Sequence, residues 1–345
     1  MGLFSKDNGY IGVDIGSSSI KMVQLEKSQG KLNLVTYGFS ENKKESDAKN
    51  WTKDTLSTVK IIDKIYKDMG ATTDKAVASL QAFSVFSSII NLSNVHKRDL
   101  AAAVDWEAKK FIPLPLEEMI LDWKVLDEKN DKGNVKVFLT GSPKKLVKKY
   151  VNIFRKTQVS LASLETETFS LIRSLLGGDK STIMLVEIGA GNTDISIVQN
   201  SIPVLNRSLD IGGKEITKTI SNSLNIGLDR SEQFKCDLGI AASQSNGDVI
   251  PRTIANSVNP IVNEIKYLLN MFQDRGKKKV DKVVLSGGSA LLPNLTSYLS
   301  KKINMNVIIG DPWARISYPK ELKPILTEIG PSFSIAVGSA IREIE

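Results

Sequence analysis

Asp14 closes a short apolar run and is followed at once by a small-residue turn, Gly16-Ser17-Ser18-Ser19, with Lys21 just beyond it. These residue types at this spacing suit a polyphosphate. Gly16 permits a tight turn, and the backbone N–H groups of Ser17 to Ser19 are able to surround a phosphate, with their hydroxyls as further donors. Lys21 adds a positive charge. Asp14, at a strand end, is placed to hold a magnesium ion through water, because magnesium keeps much of its hydration shell. An ordinary hairpin with a serine-rich turn carries the same residues, so this loop alone leaves both readings open.

A second loop has the same plan. Glu187 precedes Gly189-Ala190-Gly191-Asn192-Thr193, a flexible backbone after an acid, with the Thr193 hydroxyl within reach of a phosphate oxygen. The two acids, at positions 14 and 187, stand 173 positions apart, and each loop is followed by a strand-like run ending in Val-Gln, at 23–24 and 198–199. Such an echo points to an internal duplication, two similar lobes whose loops face each other across a polyphosphate and its metal. The pattern is neither a P-loop nor a dinucleotide fingerprint. Neither loop ends in Gly-Lys-Ser/Thr, and no helix directly follows the first.

Three further segments fit a flat ligand beside the phosphates. An apolar run, 283–285, enters Ser286-Gly287-Gly288-Ser289, where two glycines let the backbone approach a ligand closely, with a helix expected from about 291–293. Asp210-Ile211-Gly212-Gly213-Lys214 is a glycine turn opening a helix that carries Thr217. Ser231-Glu232-Gln233-Phe234-Lys235 is read as the start of another, though charged residues one turn apart are also ordinary solvated pairs.

The elements that would position these loops are legible as periodicities. Apolar alternation predicts strands at 10–14, 20–25 and 32–39, then a polar stretch over 40–50 and a helix over 51–69. Residues 82–158 change texture. A strand at 83–90, a helix at 97–111 ending before Pro113 and Pro115, strands at 119–126 and 135–140 joined by a turn at 130–133, and a basic helix at 144–156 form a candidate inserted subdomain.

Composition removes several chemistries. The chain of 345 residues exceeds the usual size of one compact domain. A single cysteine, Cys236, excludes an internal disulfide and a cysteine-rich metal site. A single histidine, His96, without an acid or thiol at ligand spacing, argues against triad hydrolysis and histidine-bound zinc. The net charge of +8 is spread in short lysine clusters, at 144–145, 148–149 and 277–279, without aromatic interleaving. That reads as solvated faces with at most a weak pull toward an acidic membrane surface. No uninterrupted apolar run approaches the roughly 20 residues of a membrane span. Residues 1–7 lack a signal-peptide hydrophobic region, so a cytoplasmic location is expected.

Taken in order, these motifs resemble the five-part nucleotide site of the actin, Hsp70 and FtsA superfamily. Residues 12–21 look like the first phosphate motif, 187–193 like the second, 161–175 and 330–341 like the two connecting helices, and 283–292 like the adenosine motif. Within the superfamily the chain is most similar to the PilM family. The resemblance rests on Gly16-Ser17-Ser18-Ser19-Ile20-Lys21, on Phe111-Ile112-Pro113 followed by Leu121-Asp122-Trp123, on Asp311-Pro312-Trp313, and on the run from Glu328 to Gly338. The chain ends at Glu345 without the amphipathic membrane helix typical of FtsA.

The resemblance implies a two-lobed α/β actin-like (ribonuclease H-like) fold. The first lobe would take 1–81 and 159–180, a small α+β subdomain 82–158, and the second lobe 181–345, with a C-terminal helix at 331–343 returning towards the first. It implies ATP and Mg2+ as cofactors. Gly16, Ser17, Ser18, Ser19, Lys21, Gly189, Gly191, Asn192 and Thr193 would bind phosphate. Gly212, Gly213, Lys214, Thr217, Glu232, Lys235, Gly287, Gly288 and Ser289 would bind adenosine, and Asp14 and Glu187 the metal, through water.

It further implies an ATP-binding scaffold of the type IV pilus machine, peripheral at the inner face of the inner membrane. Such a scaffold holds the N-terminal cytoplasmic tail of a PilN-like membrane partner in a groove between the first lobe and the inserted subdomain, with 82–123 as its wall, and meets other pilus assembly components; nucleic acid is not expected. The superfamily usually has Asp where this chain has Glu187. The extra methylene moves the carboxylate by about 1.5 Å, enough to cost about a hundredfold in rate. With no side chain identified as the base, slow or absent hydrolysis is expected. An FtsA-like filament protein and a sugar-kinase-type phosphotransferase are the competing readings.

Overall fold

A computed structural model of the chain describes residues 9–41, 54–93, 95–112, 114–129, 134–240, 249–274, 276 and 279–345. The expectations for residues 1–7, most of 40–50, the start of a helix at 51, Pro113, the turn at 130–133 and Lys277 and Lys278 lie outside the described residues.

The first part of the chain forms strands β1 (Tyr10–Ile15), β2 (Ser19–Ser28) and β3 (Lys31–Glu41), helix α1 (Thr55–Asp68) and strand β4 (Lys75–Leu80). There follow β5 (Phe86–Leu92), α2 (Leu100–Ala108), β6 (Met119–Lys129), β7 (Asn134–Pro143), α3 (Lys144–Phe154), β8 (Ser160–Thr166) and α4 (Glu167–Leu171), the last continued by a π turn, Ile172–Leu176. The second half supplies β9 (Ile183–Ile188), β10 (Thr193–Gln199), β11 (Ile202–Leu209), α5 (Gly213–Leu224), α6 (Leu228–Leu238) and α7 (Val249–Asp274). It closes with β12 (Lys282–Ser286), α8 (Leu295–Ile303), β13 (Val307–Ile309), β14 (Ile316–Ser317) and α9 (Lys323–Ile341).

Two large sheets repeat one plan. The first runs β14-β3-β2-β1-β4-β8 and the second β11-β10-β9-β12-β13. In each, three antiparallel strands are followed by a parallel strand beside the first of the three, at β4 and at β12. The duplication expected from the two acidic loops is thus one of architecture. A third sheet, ordered β5-β7-β6, carries α2 on one face and is inserted between β4 and α3.

Alternation along the strands sends side chains to opposite faces. Ile11, Val13 and Ile15 pack with Ile62 and Ile65 of α1 and Ile153 and Phe154 of α3 on one face of the first sheet. Val23 and Leu25 meet Trp313, Phe333 and Val337 on the other, where α9 lies. This helix crosses β1 so closely that a Cβ on Gly12 would stand 1.8 Å from the Ala336 carbonyl oxygen, and one on Gly338 would stand 1.9 Å from that of Ser170. At the crossing the hydroxyls of Ser79, Ser170 and Ser339 form a buried triangle with sides of 2.9, 2.6 and 3.0 Å. By length and a mean hydropathy of 1.2, residues 320–341 would span a membrane, yet 67% of that segment is buried inside the fold, so α9 is a core helix.

Several expected elements differ in kind or extent. Residues 161–175 are not one helix. Leu161, Leu164, Thr168 and Leu171 have helical spacing, but 160–166 pairs in parallel with β4, and the helix begins only at Glu167; sheet pairing overrides the local pattern. The 83–90 strand opens instead with a 3-10 turn, Ala82–Ser84, before β5. The helix expected over 97–111 is α-helical only over Leu100–Ala108. Residues 231–235 lie inside α6 rather than opening it. The helix after the second glycine pair begins at Leu295, because a 3-10 turn, Gly288–Leu291, and Pro293 intervene. The C-terminal helix starts at Lys323 and runs through Pro331, and β14 adds a further strand of the far end of the chain to the first sheet.

Candidate functional site

The two acidic loops have the same closure. Gly16 N–H donates to the Ser19 carbonyl at 3.0 Å, and Gly189 N–H donates to the Asn192 carbonyl at 2.9 Å. They face each other, since a Cβ built on Gly191 would lie 3.2 Å from Ser17 Oγ. Lys21 Nζ donates to Ser19 Oγ at 2.6 Å and lies 3.4 Å from Asp14 Oδ2, so it sits over the first loop as expected. Thr193 is placed differently. It is fully buried and its hydroxyl donates to the Ile211 carbonyl at 2.6 Å. That proton pins the second loop to the turn before α5, leaving the loop's backbone and Asn192 as its donors to a ligand.

The glycine turns are stacked against the second loop. Gly213 N–H donates to the Gly189 carbonyl and Lys214 N–H to the Ala190 carbonyl, both at 2.9 Å. A Cβ on Gly212 would come within 2.7 Å of Gly189 O and the Ala190 carbonyl carbon, so only glycine fits there. Gly287, at φ 84°, leaves room for Glu187, whose Oε1 would be 2.6 Å from an added Cβ. Ser289 Oγ lies 3.4 Å from the Gly189 carbonyl, and around Gly288 an added Cβ would meet open space.

Lys235, buried beneath Gly213, donates to Gly213 O at 3.2 Å, Thr217 Oγ1 at 3.1 Å and Glu232 Oε2 at 2.7 Å. Glu232 also accepts from the Thr217 hydroxyl. The Lys214 side chain is exposed, and its contribution here is its backbone N–H. Residues from the 187–193, 210–217, 231–235 and 283–289 stretches therefore lie together with the 16–21 loop facing them across Gly191, and α9 braces the group through the Pro331 carbonyl, which accepts from Gly287 N–H at 2.9 Å and Ser286 Oγ at 3.0 Å.

Acidic side chains crowd the cleft. Burial first, and then Asp194 and Asp14, push the Glu187 carboxyl well above the usual carboxylate range, against the pull of Lys21. Glu167, at the start of α4, is raised in the same way by burial and then by Asp14, Asp194 and Glu187, although Ala82 N–H donates to its Oε2 at 2.9 Å. Burial lifts Asp194 to about 6 against hydrogen bonds from Ser208 and Asn192. Carboxyl groups so crowded, with Lys21 as their neighbouring cation, fit a divalent ion. Among the described residues no three acidic, histidine or cysteine side chains converge at ligand distance. The set therefore suits magnesium held mainly through its own water rather than a full protein cage.

Glu167 and Asp194 were not among the expected site residues. Asp194 had a faint signal, a charge inside the apolar alternation of β10. Glu167 had none, because its position depends on where β8 ends.

Beside this cleft lies a groove of ≈ 380 Å³. Its walls are the Ala82–Ser84 turn and β5, Phe138 of β7, Thr166, Thr168 and Phe169, and residues of β10 and β11 including Asp194, Asn206, Arg207 and Ser208. Phe138 and Phe169 meet edge to face at 5.5 Å.

Two duplicated sheets, each with an acid and a small-residue hairpin loop aimed at the other, define an actin-like protein. The chain has the fold of MreB5 of Spiroplasma citri bound to AMPPNP, with a TM-score of 0.54 at 12% identity over 97% of this chain and 95% of that one. FtsA of Bacillus subtilis (strain 168) is 21% identical over 346 residues, 88% of this chain and 78% of that protein. Residues 12–344 match the family described as type IV pilus assembly protein PilM, and the chain belongs to that family. The structure of a PilM-PilN type IV pilus biogenesis complex shares its fold with a TM-score of 0.82, at 22% identity, over 98% of this chain and 99% of that one.

Proposed function

We propose that this protein is an ATP-binding scaffold of the type IV pilus inner-membrane assembly complex. The observation that carries the reading is the pair of facing loops, Gly16 to Ser19 and Gly189 to Asn192, closed by the same hydrogen bond and backed by buried acids. Backbone N–H groups of both loops, the Ser17 and Ser18 hydroxyls and Lys21 bind the phosphates. Asp14 and Glu187 hold the hydrated magnesium, which when bound neutralises phosphate charge. Gly212, Gly213, Gly287, Gly288 and Ser289 leave a flat opening for the adenine and ribose, with Thr217, Glu232 and Lys235 behind it. The first lobe comprises 1–81 and 159–180, joined by β14 and α9, and also takes α3 from the 82–158 segment, since Tyr150, Ile153 and Phe154 pack in the first sheet's core; the rest of 82–158 is the inserted subdomain.

Hydrolysis is slow in this reading. Glu167 is a candidate base, but burial, and then Asp14, Asp194 and Glu187, favour its protonated form, and Ala82 N–H donates to one of its oxygens. Cleavage of bound ATP within seconds in a single turnover would refute this.

The partner is the N-terminal cytoplasmic tail of a PilN-like membrane protein, lying in the groove beside the Ala82–Ser84 turn. Phe83, Phe86, Phe138 and Phe169 supply the apolar anchor sites that an extended peptide needs. The protein then sits in the cytoplasm against the inner membrane through its partner.

The first test is calorimetric titration with Mg-ATP of the wild type and of Asp14→Ala. Binding by the wild type that weakens at least tenfold in the variant supports the cleft. No heat with a folded, nucleotide-free wild type removes ATP from the reading. The FtsA relatives favour a second reading, a filament protein. Sedimentation of the purified protein with Mg-ATP, absent for a scaffold alone, decides between them.

A further inference from the structure

The outer face of the first lobe, on the side of the sheet away from α9, is built by α1 and α3 lying side by side. Between Lys144 and Gln158 the chain carries six cations and no acid: Lys144, Lys145, Lys148, Lys149, Arg155 and Lys156. All but the half-buried Lys149 are exposed. Tyr150, Ile153 and Phe154, on the opposite side of α3, are buried in the core of the first sheet, so the helix cannot turn its charges inward. Lys60, Lys64 and Lys67 form an exposed stripe along α1, and Leu56, 63% exposed, extends it. Together α1 and residues 144–158 hold nine cations against Asp63 and Asp68, a net +7 beside the +8 of the whole chain.

The fold makes no use of this charge. Among the described residues none of the nine cations is paired with a carboxylate. Lys144 and Lys145 occupy the first turn of α3, where the helix dipole disfavours cations, and no acid stands there to offset them. Lys144 neighbours Lys148, and Lys145 neighbours Lys149, at the four-residue spacing that makes like charges repel. Burial lowers the Lys149 ammonium below its ordinary value, so packing works against this charge as well. The core side of α3 holds the helix in spite of these terms, and the charges serve a contact outside the chain.

A flat anionic surface fits them. The cations are spread over two helices rather than gathered around a pocket, which suits a charged plane better than a single anion. A nucleic acid strand would find no fully exposed ring on this face to stack against, since Tyr150 and Phe154 are buried and Tyr66 is half-buried. A position against the inner membrane brings the face within reach of acidic lipid headgroups.

We propose that the α1–α3 face is a docking surface for anionic phospholipid. The proposal rests on the inner-membrane placement above and adds to it a direct contact that needs no partner protein. Each cation near an acidic bilayer multiplies affinity about fivefold. The contact is reversible and salt-sensitive, and it turns α1 and α3 toward the bilayer.

Co-sedimentation of the full-length protein with vesicles tests it. Vesicles of equal parts phosphatidylglycerol and phosphatidylethanolamine should carry the protein down in about 0.1 M salt and release it in about 1 M salt, where screening acts within about 3 Å. Phosphatidylcholine vesicles should not bind it. Lys144→Glu combined with Lys148→Glu should lower the affinity for the acidic vesicles at least about twentyfold. Lys301→Glu combined with Lys302→Glu, exposed at the end of α8, changes the net charge equally and should stay within about threefold of the wild type. Thermal melts separate binding from folding. The α3 pair should melt no lower than the wild type, because it relieves repulsion at the start of the helix.

No binding to the acidic vesicles, equal binding to phosphatidylcholine, binding that survives the higher salt, or equal loss in the two double variants overturns the proposal. Tighter binding to a DNA duplex than to the acidic vesicles at the same salt overturns it in favour of a nucleic-acid face. The vesicles carry no protein, so a negative result strikes this surface and leaves the partner-held placement standing, whereas a tail peptide that fails to bind strikes that placement.

Discussion

Asp194 carries a carboxyl whose titration is set by its surroundings. Its carboxyl ordinarily titrates at 3.8 and is lifted to about 6, chiefly by burial. The folded chain therefore binds this proton more tightly than the unfolded one. The cost of burying the charge is absent below about pH 4 and complete above about pH 6, so stability falls as pH rises through that window, by at most about 3 kcal/mol. Chemical denaturation between pH 4 and 7 should show that decline in the nucleotide-free protein, added to the declines of the same sign from Glu167 and Glu187, and Asp194→Asn should make it shallower. At the same scale the glycines are not equivalent. Gly191→Ala meets a movable serine hydroxyl and should alter Mg-ATP affinity by less than about threefold. Gly212→Ala meets backbone on the second loop and should cost about 1–3 kcal/mol. Thermal melts of the two variants side by side check the contrast.

Among the elements, α9 has the strictest demands. It runs over β1 and against α4 at van der Waals distance, with no room for a side chain at Gly12 or Gly338 and with three serine hydroxyls satisfying one another at the junction. Gly338→Ala should lower the thermal midpoint by several degrees or prevent folding, because the neighbouring atom is a backbone carbonyl that cannot step aside. Ser339→Ala should cost less, about 1–2 kcal/mol, since it strands two hydroxyls that are already close enough to bond each other. The hairpins were legible in the sequence because period-two alternation and small-residue turns are local. Residues 161–166 were not, because their apolar residues also fit a helix and only the neighbouring β4 decides. The same dependence hid Glu167. The small-residue loops, by contrast, could be read in advance because glycine and serine announce close approach, whereas the hydrogen bond of Thr193 depends on Ile211, eighteen residues further on, where no local pattern reaches.

On the scale of the whole molecule the two lobes meet through the loops, through α4 with its π turn, and through α9. Leu171 and Ile172 pack with Leu185 and Val284 of the second sheet and with Ile335 of α9 in a core that belongs to neither lobe alone. Ligand held in the cleft should therefore stabilise the molecule as a unit. At a Mg-ATP concentration a hundred times the dissociation constant, the gain is about 2.7 kcal/mol. A single melting transition should move upward in the wild type and stay put in Asp14→Ala; two transitions moving separately would show that the lobes unfold independently.

The return of β14 and α9 to the first sheet also dictates the order in which the polypeptide acquires structure during synthesis. The second sheet draws all five strands from residues 183–309, a contiguous stretch that is able to close on itself as soon as it has left the ribosome. The first sheet begins at Tyr10, yet Val23, Leu25 and Leu32 stay uncovered until Trp313, Phe333 and Val337 emerge some three hundred residues later. The lobe made first is finished last. Over that interval its exposed face is the part of the nascent chain most in need of a chaperone.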